Sequence, residues 1–126
     1  MIRTNETGVL FPVETIGAFC KQRGITFHID AVQAIGKIPV DVNALQCDLL
    51  AISGHKFHAP KGIGVLYVRR GTRLRPLLYG GHQEKARRPG THNVPGIVGI
   101  GTAADLVMKH LSNSEEVANV KRLRDR

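Results

Sequence analysis

The chain has 126 residues, room for one domain with a hydrophobic core but little for a complete α/β enzyme with its own substrate domain, so a single module or a piece of a larger domain is expected. With 42% hydrophobic and 22% charged residues it reads as a soluble globular chain, with disorder expected at most at its ends. The formal net charge of +8, from 18 Lys and Arg against 10 Asp and Glu, suits an anionic ligand, an acidic protein or nucleic acid and does not choose among them.

Two cysteines, Cys20 and Cys47, are too few for a disulfide framework and form neither a CxxC nor a zinc signature, so a reducing cytoplasm is the expected compartment. Met1 to Glu6 lacks the apolar core of a signal peptide. The run Val94 to Met108 is interrupted by Asp105 and is shorter than the about 20 residues that cross a bilayer, which implies a packed helix and no membrane partner.

In chain order, Pro12 opens a helix whose Val13, Ile16, Gly17 and Cys20 share one face, and Gly24 offers a left-handed stop. Ile25 to Ile29 is a β-branched and aromatic run that ends at Asp30, and Asp48 to Ile52 is a second run that ends at Ser53. Gly62 to Val68 reads as a third strand, with Gly71-Thr72 turning into a basic connection. Tyr79 to Thr91 is rich in Gly and charge and is expected to be an exposed, mobile loop. Pro95 begins the next helix, in which Gly96 and Gly99 allow close backbone approach and Ile100, Ala103, Ala104, Val107 and Met108 supply apolar contacts. Ser112-Asn113-Ser114 breaks it, and Glu115 to Arg126 resembles another helix.

Two polar constellations therefore follow strands: Asp30-Ala31-Val32-Gln33 and Ser53-Gly54-His55-Lys56. They combine a carboxylate, an amine and hydrogen-bonding neighbours, a set suited to a cofactor carrying a ring nitrogen, an aldehyde and a phosphate. Pyridoxal 5'-phosphate has all three. A neutral lysine amine forms a Schiff base with an aldehyde, and burial or nearby cations favour the neutral form; His55 and Lys61 are candidate neighbours of Lys56. A carboxylate at Asp30 would keep the pyridine nitrogen protonated, Gln33 would donate to a ring oxygen, and Ser53, the Gly54 amide and His55 would surround the phosphate. Taken singly these residues have blander explanations, since a lysine after a strand is usually solvated and an Asp at a strand end is a common turn former.

Asn5-Glu6-Thr7-Gly8, His28-Ile29-Asp30-Ala31-Val32-Gln33, Ser53-Gly54-His55-Lys56 and Pro60 to Tyr67 resemble, in order and spacing, consecutive motifs of the cysteine desulfurases, members of the class V aminotransferase family of fold-type I pyridoxal-phosphate enzymes. Arg70-Gly71-Thr72-Arg73, Gly80 to Glu84 and Arg88-Pro89-Gly90-Thr91 are most similar to the nitrogen-fixation type. The resemblance implies an α/β fold with a mainly parallel sheet and flanking helices. It makes the chain the central part of the large, cofactor-binding domain (about 1–111) running into a further helix (about 112–126), without the family's amino-terminal part and small carboxyl-terminal domain. It implies Lys56 as the cofactor lysine, Asp30 as partner of the ring nitrogen, Asn5 and Gln33 as ligands of the ring oxygen, Ser53, Gly54 and His55 as phosphate ligands, and Thr91 as a phosphate ligand reaching across a homodimer.

The implied reaction takes sulfur from L-cysteine, leaves alanine and passes a persulfide to an acceptor such as an iron–sulfur scaffold. The family's nucleophilic cysteine matches neither Cys20 nor Cys47, both of which read as packing residues, so the chain alone is expected to be inactive. Lys85-Ala86 and Pro89 depart from the family pattern, and Pro89 stiffens the loop carrying Thr91. Three alternatives stand beside this: another class V enzyme such as a selenocysteine lyase; a basic nucleic-acid module built on Arg69 to Arg88 and the Lys121 to Arg126 tail, though with 5% aromatics stacking platforms are scarce; and a metal site at His55-x-x-His58, which lacks a third ligand.

Overall fold

Pro12 and Gly24 bracket the first helix: in the computed structural model, which describes residues 1–124, α1 runs Val13–Gln22 and Gly24 takes φ +63° just beyond it. Val13, Gly17 and Cys20 are buried, whereas Ile16, expected on the same face, is 41% exposed. Ile16 lies about 60° round the helix from Val13, on the flank of a narrow buried stripe. Gly17 allows that stripe to seat closely, because a Cβ there would overlap the main-chain oxygen of Leu45.

Strand β1 is His28–Asp30, β2 is Leu49–Ser53 and β3 is Gly64–Val68, in the order β1-β2-β3. The first strand starts later than the β-branched run suggests. Ile25 N–H bonds Cys20 O at 2.9 Å and Phe27 N–H bonds Asp48 Oδ2 at 2.8 Å, so the lead-in is tied to the helix end and to the Asp48 side chain. The fold is α/β, but the sheet is mixed: β1 and β2 are parallel, with Asp30 opposite Ala51, while β2 and β3 are antiparallel, with Ser53 opposite Gly64. The short connection over residues 54–63 accounts for this, because a parallel return needs a crossover of about a dozen residues or more.

Ile29, Ala31, Ala34, Leu45, Cys47 and Leu50 form the main core with Ile2 and Val13. A second cluster of Phe57, Ala59, Ile100 and Ala103 fixes helix α3 (Val94–Ser112) against the turn that follows β2, and Ile35 and Ile52 pack against both clusters. Of the apolar residues expected to anchor α3, Ile100 and Ala103 are buried and Val107 is half-buried, but Ala104 is exposed and Met108 is 67% exposed. Close approach at Gly99 is to the Pro60 ring, 2.8 Å from where a Cβ would stand.

The loop from Tyr79 to Thr91 is mostly exposed and contains a four-residue segment, α2 (Gln83–Ala86), in which Glu84 and Lys85 have φ 50° and 58°; it is a left-handed turn and not a regular helix. The chain breaks at Asn113 before α4 (Ser114–Arg124). Of the basic tail read at Lys121 to Arg126, the last two residues lie outside the described ones. Among the described residues no helix is long and apolar enough to cross a membrane.

Candidate functional site

Because β1 and β2 are parallel, their carboxyl ends share one edge of the sheet, the edge at which open α/β sheets place ligands. Asp30 closes β1 there, and Ser53 closes β2 two residues beyond the Ala51 that pairs with Asp30. The two constellations, 20 residues apart in sequence between Gln33 and Ser53, are brought to that edge by the sheet itself.

After β2 the chain tightens into a 3₁₀ turn, Gly54–Phe57, whose two ends face inward: Gly54 and Phe57 are buried, while His55 is exposed and Lys56 half-buried. Gly54 is the hinge of this arrangement. A Cβ on it would stand 3.0 Å from both Ala59 Cβ and Ile63 Cγ2 and 3.1 Å from Ile100 Cδ1, so only glycine lets the turn settle on α3 without pushing it away. The Gly54 amide, expected to face a phosphate, instead donates to Ile63 O at 3.0 Å. Its contribution is space, not a free donor.

The Ser53 hydroxyl and His55 Nδ1 share a hydrogen bond of 2.8 Å. Lys56 has no hydrogen-bond or ion-pair partner among the described residues. Asp30 Oδ1 accepts from Val32 N–H at 2.8 Å, the turn-forming role that an Asp at a strand end often takes, and this leaves Oδ2 without a protein partner among the described residues.

Beyond Asp30 the chain winds tightly through residues 31–38, with Ala31 and Ala34 fully buried and Gln33 at half-burial on the outer side. Gln33 Oε1 accepts from Lys37 Nζ at 2.9 Å, and Gln33 O accepts from Arg3 Nη1 at 3.5 Å. Slight burial of an otherwise exposed side chain, and then the charges of Arg3 and Lys56, hold the Lys37 amine below the usual lysine range. Lys37 and Arg3 are thus cations tied electrostatically to this corner that the sequence motifs did not single out. The i, i+4 spacing of Gln33 and Lys37 was the one sequence signal for that pairing.

Two expected site residues lie in exposed loops. Asn5 is exposed at the tip of a loop closed by the Arg3–Leu10 bridge and by Thr4 N–H bonding Val9 O at 3.1 Å. Thr91 is exposed beside a loop held by Glu84 to His92 (3.2 Å) and by Gly90 N–H to Gln83 Oε1 (3.2 Å). No hydrogen bond among the described residues joins either to Lys56. Both cysteines are buried, Cys47 completely, and burial pushes the Cys47 thiol above its ordinary value. Among the described residues no three His, Cys, Asp or Glu side chains gather closely enough to hold a metal.

An amine, a carboxylate and a carboxamide follow the carboxyl ends of a parallel strand pair, and the chain is an α/β protein whose sheet presents polar groups at the edge where such folds take ligands. The profile of the family described as aminotransferase class-V matches residues 1–125, and the chain belongs to that family. It is 60% identical over all 126 residues to a cysteine desulfurase of Nostoc sp. and 51% identical to the cysteine desulfurase NifS of Azotobacter vinelandii, in each case covering 31% of the relative. The structure of a NifS-like protein from Rickettsia africae superposes with a TM-score of 0.91 at 37% identity, over 98% of this chain and 34% of that one. The chain thus spans about a third of the length of the relatives it matches.

Proposed function

We propose that this chain is the cofactor-anchoring part of a pyridoxal-phosphate-dependent cysteine desulfurase, the segment of the large domain over about residues 1–111 together with the start of a further helix. The observation that carries this reading is the meeting of Asp30, Gln33 and the Ser53–Lys56 turn at one sheet edge, in a chain 60% identical along its whole length to a protein named cysteine desulfurase.

The donor set fits the cofactor. The unpaired Lys56 amine would hold its aldehyde, the unengaged Oδ2 of Asp30 its ring nitrogen, and Gln33 its ring oxygen, while the Ser53–His55 pair would take the phosphate. Asn5 would add a second ligand to the ring oxygen, and the exposed Thr91 would reach the phosphate of a second copy in a homodimer. When bound, pyridoxal phosphate supplies an electron sink for the substrate's α-carbon. The protein's own work is then to move protons through the Lys56 amine and to keep the ring nitrogen charged through the Asp30 carboxylate.

The substrate would be L-cysteine, and sulfur would leave to a thiol and then to an acceptor protein such as an iron–sulfur scaffold, in the cytoplasm. That thiol would be neither cysteine of this chain, since both are buried and burial pushes the Cys47 thiol above its ordinary value. The chain by itself should therefore release little or no sulfide from L-cysteine.

Incubation with pyridoxal phosphate followed by borohydride reduction tests the cofactor reading. The expected result is one added cofactor mass on the Lys56 peptide, absent in Lys56→Ala. Labelling of the wild-type chain no greater than that of Lys56→Ala would overturn it.

A further inference from the structure

The winding of residues 31–38 places Gln33 and Lys37 one turn apart on its outer side. Ala34 N–H and Ile35 N–H both return to Ala31 O (2.9 and 3.1 Å), and Lys37 N–H and Ile38 N–H both return to Ala34 O (3.0 and 3.1 Å). Gly36 sits in this winding at φ +79°, where a Cβ would stand 2.9 Å from Phe57 Cβ. The backbone thus rests directly on Phe57, the residue after Lys56, and this contact brings the Lys37 ammonium within the electrostatic reach of Lys56 and Arg3.

A carboxamide has an accepting end and a donating end of nearly the same shape. With Arg3 on its main-chain oxygen and Lys37 one turn on, Gln33 has cations at hand for the accepting end of its carboxamide, and an unconstrained side chain could present either end. In the structure Lys37 Nζ takes that oxygen at 2.9 Å, and Nε2 is left with no protein partner among the described residues.

We propose that Lys37 is a positioning residue: by holding Gln33 Oε1 it fixes the carboxamide so that the NH₂ end is the one offered to the ring oxygen of pyridoxal phosphate. The inference rests on the cofactor reading above. It assigns to Lys37 no contact with the cofactor, only control of which end of Gln33 makes one.

The experiment is a double-mutant cycle on the chain loaded with pyridoxal phosphate, using Lys37→Met, Gln33→Leu and the pair, with Lys37→Arg as the conservative variant. The dissociation constant and the absorbance maximum of the bound cofactor are both read. Lys37→Met should weaken binding about three- to tenfold, the worth of one hydrogen bond, and shift the absorbance maximum. Neither change should occur when Lys37→Met is made in the Gln33→Leu background, and Lys37→Arg should restore both. Equal effects of Lys37→Met in the two backgrounds, or none in either, would overturn the inference while leaving the cofactor site standing. If the wild-type chain carries no borohydride-fixed label on Lys56, the cofactor reading and this inference fall together. Lys37 is exposed, so its substitution leaves the apo fold intact, which a thermal melt of the variant checks.

Discussion

The Ser53 hydroxyl stands 2.8 Å from Nδ1 of His55, two residues on, where β2 gives way to the turn that carries Lys56. The bond fixes the imidazole at the strand end, and when Nδ1 accepts from the hydroxyl the ring's proton lies on Nε2, an outward donor for an anion. If this pair grips the phosphate of pyridoxal phosphate, the chain should prefer that cofactor to pyridoxal, which lacks the phosphate. Ser53→Ala removes the hydroxyl that holds Nε2–H toward the anion and so unfixes the imidazole, and the preference should fall several-fold. Binding constants for the two compounds, measured for wild type and variant, give the ratio directly. An unchanged ratio would move the phosphate site elsewhere.

Arg69 staples the third strand to the segment before the second. Its Nε donates to Cys47 O at 2.8 Å, its Nη2 to Val42 O at 2.6 Å and its Nη1 to Asn43 Oδ1 at 3.3 Å. Arg69→Ala strips partners from two partly buried main-chain carbonyls, a loss of about 2–3 kcal/mol. Arg69→Lys should recover less than half of it, because one ammonium cannot span the three acceptors in the guanidinium's fixed fork. Urea denaturation of the three proteins measures both differences, and a lysine variant as stable as wild type would show that charge alone suffices.

Gly17 and Gly54 are places where a single methyl group should be costly. At Gly17 the new Cβ would overlap the Leu45 carbonyl oxygen, main chain that cannot rotate away, and α1 would have to lift off the core. At Gly54 the neighbours are Ala59, Ile63 and Ile100 side chains at 3.0–3.1 Å, which can give by a few tenths of an ångström. Gly17→Ala should therefore lose about 3 kcal/mol or more and Gly54→Ala about 1 kcal/mol. The Gly54 variant carries a second expectation: because the turn shifts with Lys56 on it, borohydride labelling of Lys56 should drop more than stability does. Comparing melts with labelling yields separates the two effects.

The contrast between the two glycines bears on what could be read from sequence. α1, the two strand ends and the residues poised on them were legible, because apolar periodicity and a polar residue at the end of a β-branched run are local patterns. What depended on distant partners was not. The Gly54 amide looked like a free donor until Ile63, nine residues on, took it. Lys37 drew no notice, since nothing local shows that Gly36 lays its turn on Phe57. Met108 and Ile16 looked like core because hydrophobicity records the tendency to be buried, not which side of a helix has a partner. The antiparallel return of β3 follows from a short connection, a topological constraint that strand composition does not carry.

Alkaline pH should expose the buried Cys47 thiol in a way that can be isolated. Burial pushes its pKa above the ordinary thiol value, an effect that outweighs the nearby Arg69 charge pulling it down. With the folded value above the unfolded one, the folded state holds the proton longer. The associated stability is fully present below the unfolded thiol's pKa and is lost as pH rises through the folded one. Lys37 works in the opposite sense, because its amine is held below the usual lysine range; the unfolded chain binds more protons there, and stability from this group rises with pH up to the ordinary lysine value. The two trends partly cancel in the wild-type curve, but Cys47→Ala removes only the first. Stability measured by urea from neutral pH upward should therefore fall less steeply, or rise, in Cys47→Ala relative to wild type above the ordinary thiol pKa, with Cys20 unchanged in both. Parallel curves would mean that the Cys47 thiol ionises alike in the folded and unfolded chains, and its burial would then carry no electrostatic consequence.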